Sequence, residues 1–287
     1  MTAIYKREMK MYFNSMTGYV FIAFFVLVTA IYFSLQNILM MSPQFEYVFS
    51  SVIMMFLILG PMLTMKLLSE ESKQKTDQLL LTSPVSVPGI VLGKYFAALS
   101  VFLIALAVTA IFPVILSFYG SIATAQIIGS YIGFFLLGGV FISVGLWISS
   151  LTDNQIVAAV ATFAAIFLLL MVETITSMAS GNITFSIMFA VILSAVISFY
   201  FYNNTKSVEV SLTVFVLLAA VIAVVYFTNP LLLDGFAGRF VSMFAVLTRY
   251  NYFSMGIFDV AAAVYLVSFT AVFLFFTVRV IEKKRWA

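Results

Sequence analysis

The sequence predicts an all-α protein: a polytopic transmembrane helical bundle of about eight spans, with six spans plus re-entrant segments as the alternative. Three observations carry this. Charged residues make up 9% of the 287 residues and apolar residues 64%, whereas soluble domains carry about 25% charged residues. The apolar residues fall into charge-free runs near the roughly 20 residues a spanning helix needs. The basic residues collect in alternate connections between those runs.

The runs follow in order. Gly18 to Gln36 is the first, and Tyr47 to Met65 the second, with Pro61 near its inner end. Lys94 and Asp153 bracket a charge-free stretch long enough for two spans, divided at Gly120-Ser121 into Val91–Tyr119 and Ile127–Ser150. The fifth run begins at Gln155, reaches Val172 and extends toward Met178. Ile183–Tyr202, Val210–Thr228 and Val260–Val278 are the sixth, seventh and eighth. Helix is the economical choice, because backbone groups in lipid must be satisfied within the segment. In the six-span alternative, runs six and seven are re-entrant.

Eight spans put both termini on one side, and basic residues mark that side as cytoplasmic. Lys6, Arg7, Lys10, Lys66, Lys73, Lys75, Lys94, Lys206, Arg279, Lys283, Lys284 and Arg285 share it, against Arg239 and Arg249 opposite. Residues 1–287 thus read as one membrane domain with three further segments. Residues 2–16 form an amphipathic interfacial helix, with Tyr5, Met9, Tyr12, Phe13 and Met16 on one face and Lys6, Arg7, Lys10 and Asn14 on the other. Residues 69–88 form a polar cytoplasmic segment. Residues 229–258 form an extracellular interfacial segment, where Phe236, Phe240, Met243, Phe244 and Leu247 recur at helical spacing.

Several chemistries are excluded by composition. Cys and His are absent, which removes thiolate sites, disulfides and imidazole catalysis. No basic stripe points to nucleic acid. Gly89 to Tyr95 superficially resembles a phosphate loop, but its glycines are one residue too close, and Tyr95 stands where Mg²⁺ needs a hydroxyl from Ser or Thr. No catalytic residue, metal ligand or cofactor site is expected in this chain. Glu173 reads either as a substrate or proton site or as a charge at headgroup level. Pro61 and Pro113 read as hinges or as tolerated kinks. Asp153 with Asn154 reads as a helix cap.

The 69–88 segment is the most polar part of the chain. Its acidic start and basic middle suit a short helix, and the leucines at 79–81 are too few to enter the membrane. Exposed leucines there call for either a partner surface or the bilayer surface. The string Glu70-Glu71-Ser72-Lys73-Gln74-Lys75-Thr76-Asp77-Gln78-Leu79-Leu80-Leu81-Thr82-Ser83-Pro84, followed by Ile90 to Tyr95, resembles the signature after the second span of ABC-2 type permeases, nearest to the gliding-motility-type subfamily. Ile148 to Gln155, Arg249 to Gly256 and Thr277 to Trp286 resemble later segments of the same family, in the same order. Lys75 stands where the family pattern carries glycine, and Gln78 where it carries an acid.

The resemblance implies the permease fold of type V-like exporters. It also implies a permease subunit driven by a separate ATP-binding subunit, so that ATP is held by the partner. Segment 69–88 becomes a coupling helix, with Glu70, Glu71, Lys75, Thr76, Asp77, Leu80 and Leu81 facing the ATPase. Further implied partners are a second permease copy, identical or homologous, the bilayer and an accessory extracellular subunit; the implied location is the bacterial inner membrane. Two rival readings are a non-transporting anchor or force transmitter in an ABC-type complex, and an ATP-independent carrier. The carrier is disfavoured because the central parts of the spans lack ionisable residues.

Overall fold

The computed structural model describes residues 1–76, 85–179, 183–229 and 234–286, and every regular element among them is helical. Helix α1 (Thr2–Asn14) precedes α2 (Thr17–Phe33), which continues as a π-helical stretch, Ser34–Leu39. The second apolar segment is α3 (Glu46–Val52), a 3-10 turn (Ile53–Met55) and α4 (Phe56–Thr64), ending in the short α5 (Ser69–Lys73). Helices α6 (Val87–Thr109) and α7 (Ile111–Ser117) make the third. Then come α8 (Thr124–Leu151), α9 (Gln155–Ala179), α10 (Ile183–Thr205) and α11 (Val208–Thr228). Two short helices, α12 (Phe236–Ser242) and α13 (Val246–Ser254), lead to α14 (Val260–Trp286).

Among the described residues, eight helical segments are long and apolar enough to cross a membrane, and they correspond to the eight apolar runs. The sixth and seventh, Ile183–Asn203 and Val208–Thr228, are uninterrupted helices of 21 residues each. That is about 30 Å of helix, the thickness of the hydrocarbon core, so both have the length of full crossings rather than of re-entrant segments. The third starts at Val87 rather than Val91. Pro88 lies in its first turn, where a missing N–H leaves nothing unsatisfied; it begins this helix instead of belonging to the turn before it. At Ala110 the helix breaks, three residues before Pro113. Proline offers no N–H to the Thr109 carbonyl, which is the physical cause of the kink. Pro61, by contrast, lies within continuous α4.

The chain divides into two compact units: Met1–Leu168 together with the chain from Val246 onward, and Leu169–Ala245. In the first, α8 is the central element and packs against α4, α6, α13 and α14. Helices in lipid gain little from apolar burial and depend on close approach over small residues. Accordingly Gly138 lies under the Phe102 ring, Gly145 against Thr64, and Gly129 and Gly133 against Phe253. The interior is aromatic: Phe134 packs at 4.6 Å from Phe49, 5.4 Å from Phe56 and 6.0 Å from Phe102, centroid to centroid. In the second unit, α10 and α11 are joined by reciprocal bonds, Ser198 Oγ donating to the Ser211 carbonyl at 2.6 Å and Ser211 Oγ to that of Ser198 at 3.0 Å.

The helical spacing read across the 229–258 segment is divided between two short helices. The chain leaves helical geometry at Met243–Ala245, dividing it in two. Phe240 of α12 packs on Phe189 of α10 at 5.6 Å. Helix α13 buries Val246, Tyr250 and Phe253 completely, because the glycines of α8 admit it into the first unit. Between α8 and α9, Asn154 Oδ1 accepts from the Ile156 N–H at 3.0 Å and caps α9. Asp153 instead pairs with Lys284 at 3.6 Å, both exposed.

Candidate functional site

Four elements of the first unit converge at one end: α1, the turn after α4, the start of α6 and the end of α8. Helix α1 reaches α6 because residue 93 has no side chain; a Cβ there would lie 3.1 Å from Ile4 Cβ and 3.2 Å from the Met1 carbonyl oxygen. The buried stripe of α1 is Ile4, Glu8 and Tyr12, turned from the expected apolar face by an acid drawn inward. Tyr12 donates to the Leu63 carbonyl at 2.7 Å. Burial pushes its phenol well above the usual range, and the charge of Glu8 adds to that.

Glu8 meets Lys94. The Lys94 ammonium is wholly buried and Glu8 is 1% exposed. Lys94 donates to Glu8 Oε1 at 3.0 Å and to the Leu67 carbonyl at 2.6 Å, and forms an ion pair with Glu71 Oε2 at 2.9 Å. Arg7 closes the group, bonding Glu8 Oε1 at 2.7 Å and Glu71 Oε1. Partial burial opposes the charge of Arg7, yet the bonds and fields of Glu8 and Glu71 hold its guanidinium above the ordinary value. Two cations and two carboxylates make a neutral cluster, the condition under which buried charges are tolerated.

Helix α5 rests on this base. The first N–H groups of a helix lack internal partners; here the Ser149 hydroxyl of α8 accepts from Leu68 N–H at 3.2 Å and Ser69 N–H at 3.1 Å, and donates to the Met65 carbonyl at 3.2 Å. At the other end, Thr76 N–H bonds the Glu71 carbonyl at 3.0 Å and Lys75 N–H that of Ser72 at 3.1 Å. This pair of bonds is a Schellman closure, and its C′ residue, Lys75, has φ +56°. Glycine occupies such positions because a Cβ there costs about 1 kcal/mol or more. The glycine of the family pattern therefore has a geometric reason at residue 75. We expect Lys75→Gly to stabilise the α5 turn by up to about 1 kcal/mol, read as slower amide exchange at Lys75 and Thr76; faster exchange would refute the assignment.

The residues singled out in the sequence divide three ways. Glu71 is 12% exposed and belongs to the buried cluster. Glu70 is half-buried and accepts from Gln74 Nε2 at 3.3 Å; Lys75 and Thr76 are exposed. Asp77, Leu80 and Leu81 lie outside the described residues. Sequence reasoning did not assign Glu8, Lys94 or Ser149 to the site. Glu8 carried a signal: it is the one acid in α1, four residues from Ile4 and four from Tyr12, hence on their face. The string from Gly89 to Lys94 is continuous helix, with its lysine paired to Glu8 and Glu71.

The arrangement has the chemistry of a joint rather than of a reacting centre. It fixes one exposed helix end to α1 and α6 through charge-assisted contacts of Glu71 and to α8 through the Ser149 hydroxyl. The profile of the family described as ABC-2 family transporter protein matches residues 2–184, a range that includes every member of the cluster. No curated protein and no solved structure matches the chain.

Proposed function

Because the chain belongs to the ABC-2 transporter family, as a multi-pass membrane permease that is not itself the catalytic subunit, we propose that it is the permease of a bacterial exporter driven by a separate ATPase chain docked on residues 69–81. On this reading both termini face the cytoplasm, the complex sits in the inner membrane, and two permease chains, identical or homologous, associate above two ATPases. On this reading the chain is of the gliding-motility type. ATP is bound by the partner.

The supporting observation is the way α5 is held. Its far end presents Lys75 and Thr76 outward, while Glu71 is bonded to Lys94 of the third segment and Arg7 of α1. Ser149 ties its start to the fourth segment. A displacement imposed on α5 by ATP-driven closure is therefore passed to α1 and to the third and fourth segments together. Leu80 and Leu81 supply the apolar anchors, and Glu70, Lys75, Thr76 and Asp77 the polar rim of the docking surface.

The test is co-purification in mild detergent with the ATPase encoded beside the chain. The wild-type chain should retain it, and Leu80→Asp/Leu81→Asp should lose it at least about tenfold, as expected when two anchors are removed. Unchanged recovery would remove residues 69–81 as the docking surface. Stimulation of ATP hydrolysis by cargo in liposomes separates a transporter from a non-transporting anchor.

A further inference from the structure

A second feature lies on the flank of α1 turned away from the charge cluster. Two contacts fix which side of this helix faces along the membrane segments. The Tyr5 and Ser100 hydroxyls share a hydrogen bond at 3.0 Å, and Ser100 stands near the middle of α6. Phe13 packs edge-on against Tyr19 of α2 at 5.2 Å. A Cβ at residue 18 would lie 3.1 Å from the Tyr12 carbonyl oxygen, so α1 folds back closely on the start of the first membrane segment. Tyr5, Met9 and Phe13 share one side by their spacing. Both segments met by that side are long and apolar enough to cross the membrane. It is therefore the bilayer side of α1, and the helix lies at the membrane boundary.

Lys6 and Lys10 occupy the adjoining flank. They stand one turn apart, with about 5–6 Å between their Cβ atoms. Helical spacing sets them beside Phe13 and opposite the buried stripe of Ile4, Glu8 and Tyr12. Both lysines are exposed. Among the described residues neither forms an ion pair. The carboxylates of Glu8 and Glu71 are held by Lys94 and Arg7, and those of Asp153 and Glu282 by Lys284 and Arg279. The charge cluster is neutral in itself, so the ammonium groups of Lys6 and Lys10 stand uncompensated at the edge of the bilayer.

We propose that Lys6 and Lys10 bind the headgroup of an anionic phospholipid, whose phosphate accepts from both ammonium groups while its acyl chains lie along Met9 and Phe13. Lysine stems rest on apolar surface and carry their charge to headgroup level, and the attraction of basic side chains to anionic lipid adds to the apolar contact. A zwitterionic headgroup brings its own ammonium, which offsets this attraction, so the selectivity is for net negative charge. An acidic protein surface would meet the same charges. The bilayer side marked by Tyr5 and Phe13 instead puts the lysines next to lipid. A lipid bound there steadies the helix that carries Arg7 and Glu8 into the cluster.

The experiment uses the full chain in phosphatidylcholine nanodiscs that carry a small fraction of a photoactivatable lipid, either phosphatidylglycerol or phosphatidylcholine, with the same diazirine acyl chain. Labelling is mapped by peptide mass spectrometry. The phosphatidylglycerol probe is expected to label residues 5–16 at least about fivefold more than the phosphatidylcholine probe, the factor one basic residue near an anionic surface supplies. Lys6→Gln/Lys10→Gln should abolish the preference, Lys6→Arg/Lys10→Arg should keep it, and about 0.5 M salt should weaken it. Lys283→Gln/Arg285→Gln, which removes charge from the end of α14, should leave it unchanged. Equal labelling by the two probes, a preference that survives Lys6→Gln/Lys10→Gln, or one lost equally in the α14 variant would each overturn the proposal. If the preference survives and co-purifying ATPase is lost instead, the flank belongs to that subunit. The labelling arm contains no ATPase, so its failure is distinct from failure of the docking reading above.

Discussion

Replacing Lys94 by Met is expected to destabilise the protein by about 3–5 kcal/mol, because it leaves a buried carboxylate uncompensated. Glu8 and Glu71 both lose a partner, and Arg7 alone remains to balance two acids. Glu8→Gln should cost a similar amount for the opposite reason, since it leaves an excess of buried positive charge. The informative variant is the double, Lys94→Met/Glu8→Gln, in which the cluster is neutral again, as Arg7 with Glu71. Its cost should fall short of the sum of the singles by about 1–3 kcal/mol, the range for groups in one bonded network. The check is a double-mutant cycle by SDS titration of the purified chain. Strict additivity, or a single-variant cost below about 0.5 kcal/mol, the size of an ordinary surface change, would show that the cluster does not hold this end together.

The second large effect is steric. An added Cβ at residue 129 would lie 2.5 Å from the Phe253 carbonyl oxygen. That is a backbone atom with no rotamer to retreat into, so α13 must move off α8. Gly129→Ala should therefore cost about 1–3 kcal/mol, the range for overpacked cores. Tyr250 and Phe253, now fully buried, should become accessible to aqueous quenchers of tyrosine fluorescence and to hydrogen exchange. Gly120→Ala is the matched control: nothing lies within 4 Å of its Cβ, and the change should stay within about 0.5 kcal/mol. Equal behaviour of the two variants would contradict the packing described for α13.

The membrane segments were legible because lipid imposes a length and a composition on each of them separately. Asp153 stands just beyond the fourth segment, as charge at the end of an apolar run signals, whereas Lys94 lies within the third, which begins at Val87. What could not be read was pairing. Glu8 and Lys94 stand in different helices, and no periodicity within either helix names the other. Glu8 stands among the cations of α1, yet its spacing from Ile4 and Tyr12 puts it on their buried face. The stripe from Phe236 to Leu247 has the right period for one helix, yet α13 enters the first unit because Gly129 and Gly133 make room for it far upstream. Glu71 was expected to face a partner, and the segment it belongs to was identifiable from its motif. Its carboxylate pairs with Lys94 and Arg7, which stand in other helices, and local sequence does not name such partners.

Glu8 and Lys94 are 86 residues apart, and that separation is also a delay in synthesis. At about 5–20 residues per second, the ribosome takes roughly 4–17 seconds to pass from one to the other. Within that interval the first two hydrophobic segments are made, while the acid of α1 has Arg7 but not its lysine. Burial of Glu8 at that stage would be costly, so α1 is expected to wait in the aqueous boundary and turn its Ile4–Glu8–Tyr12 stripe inward when the third segment is inserted. The N-terminal helix is the earliest part of the chain to be translated and, on this account, among the last parts of its unit to settle.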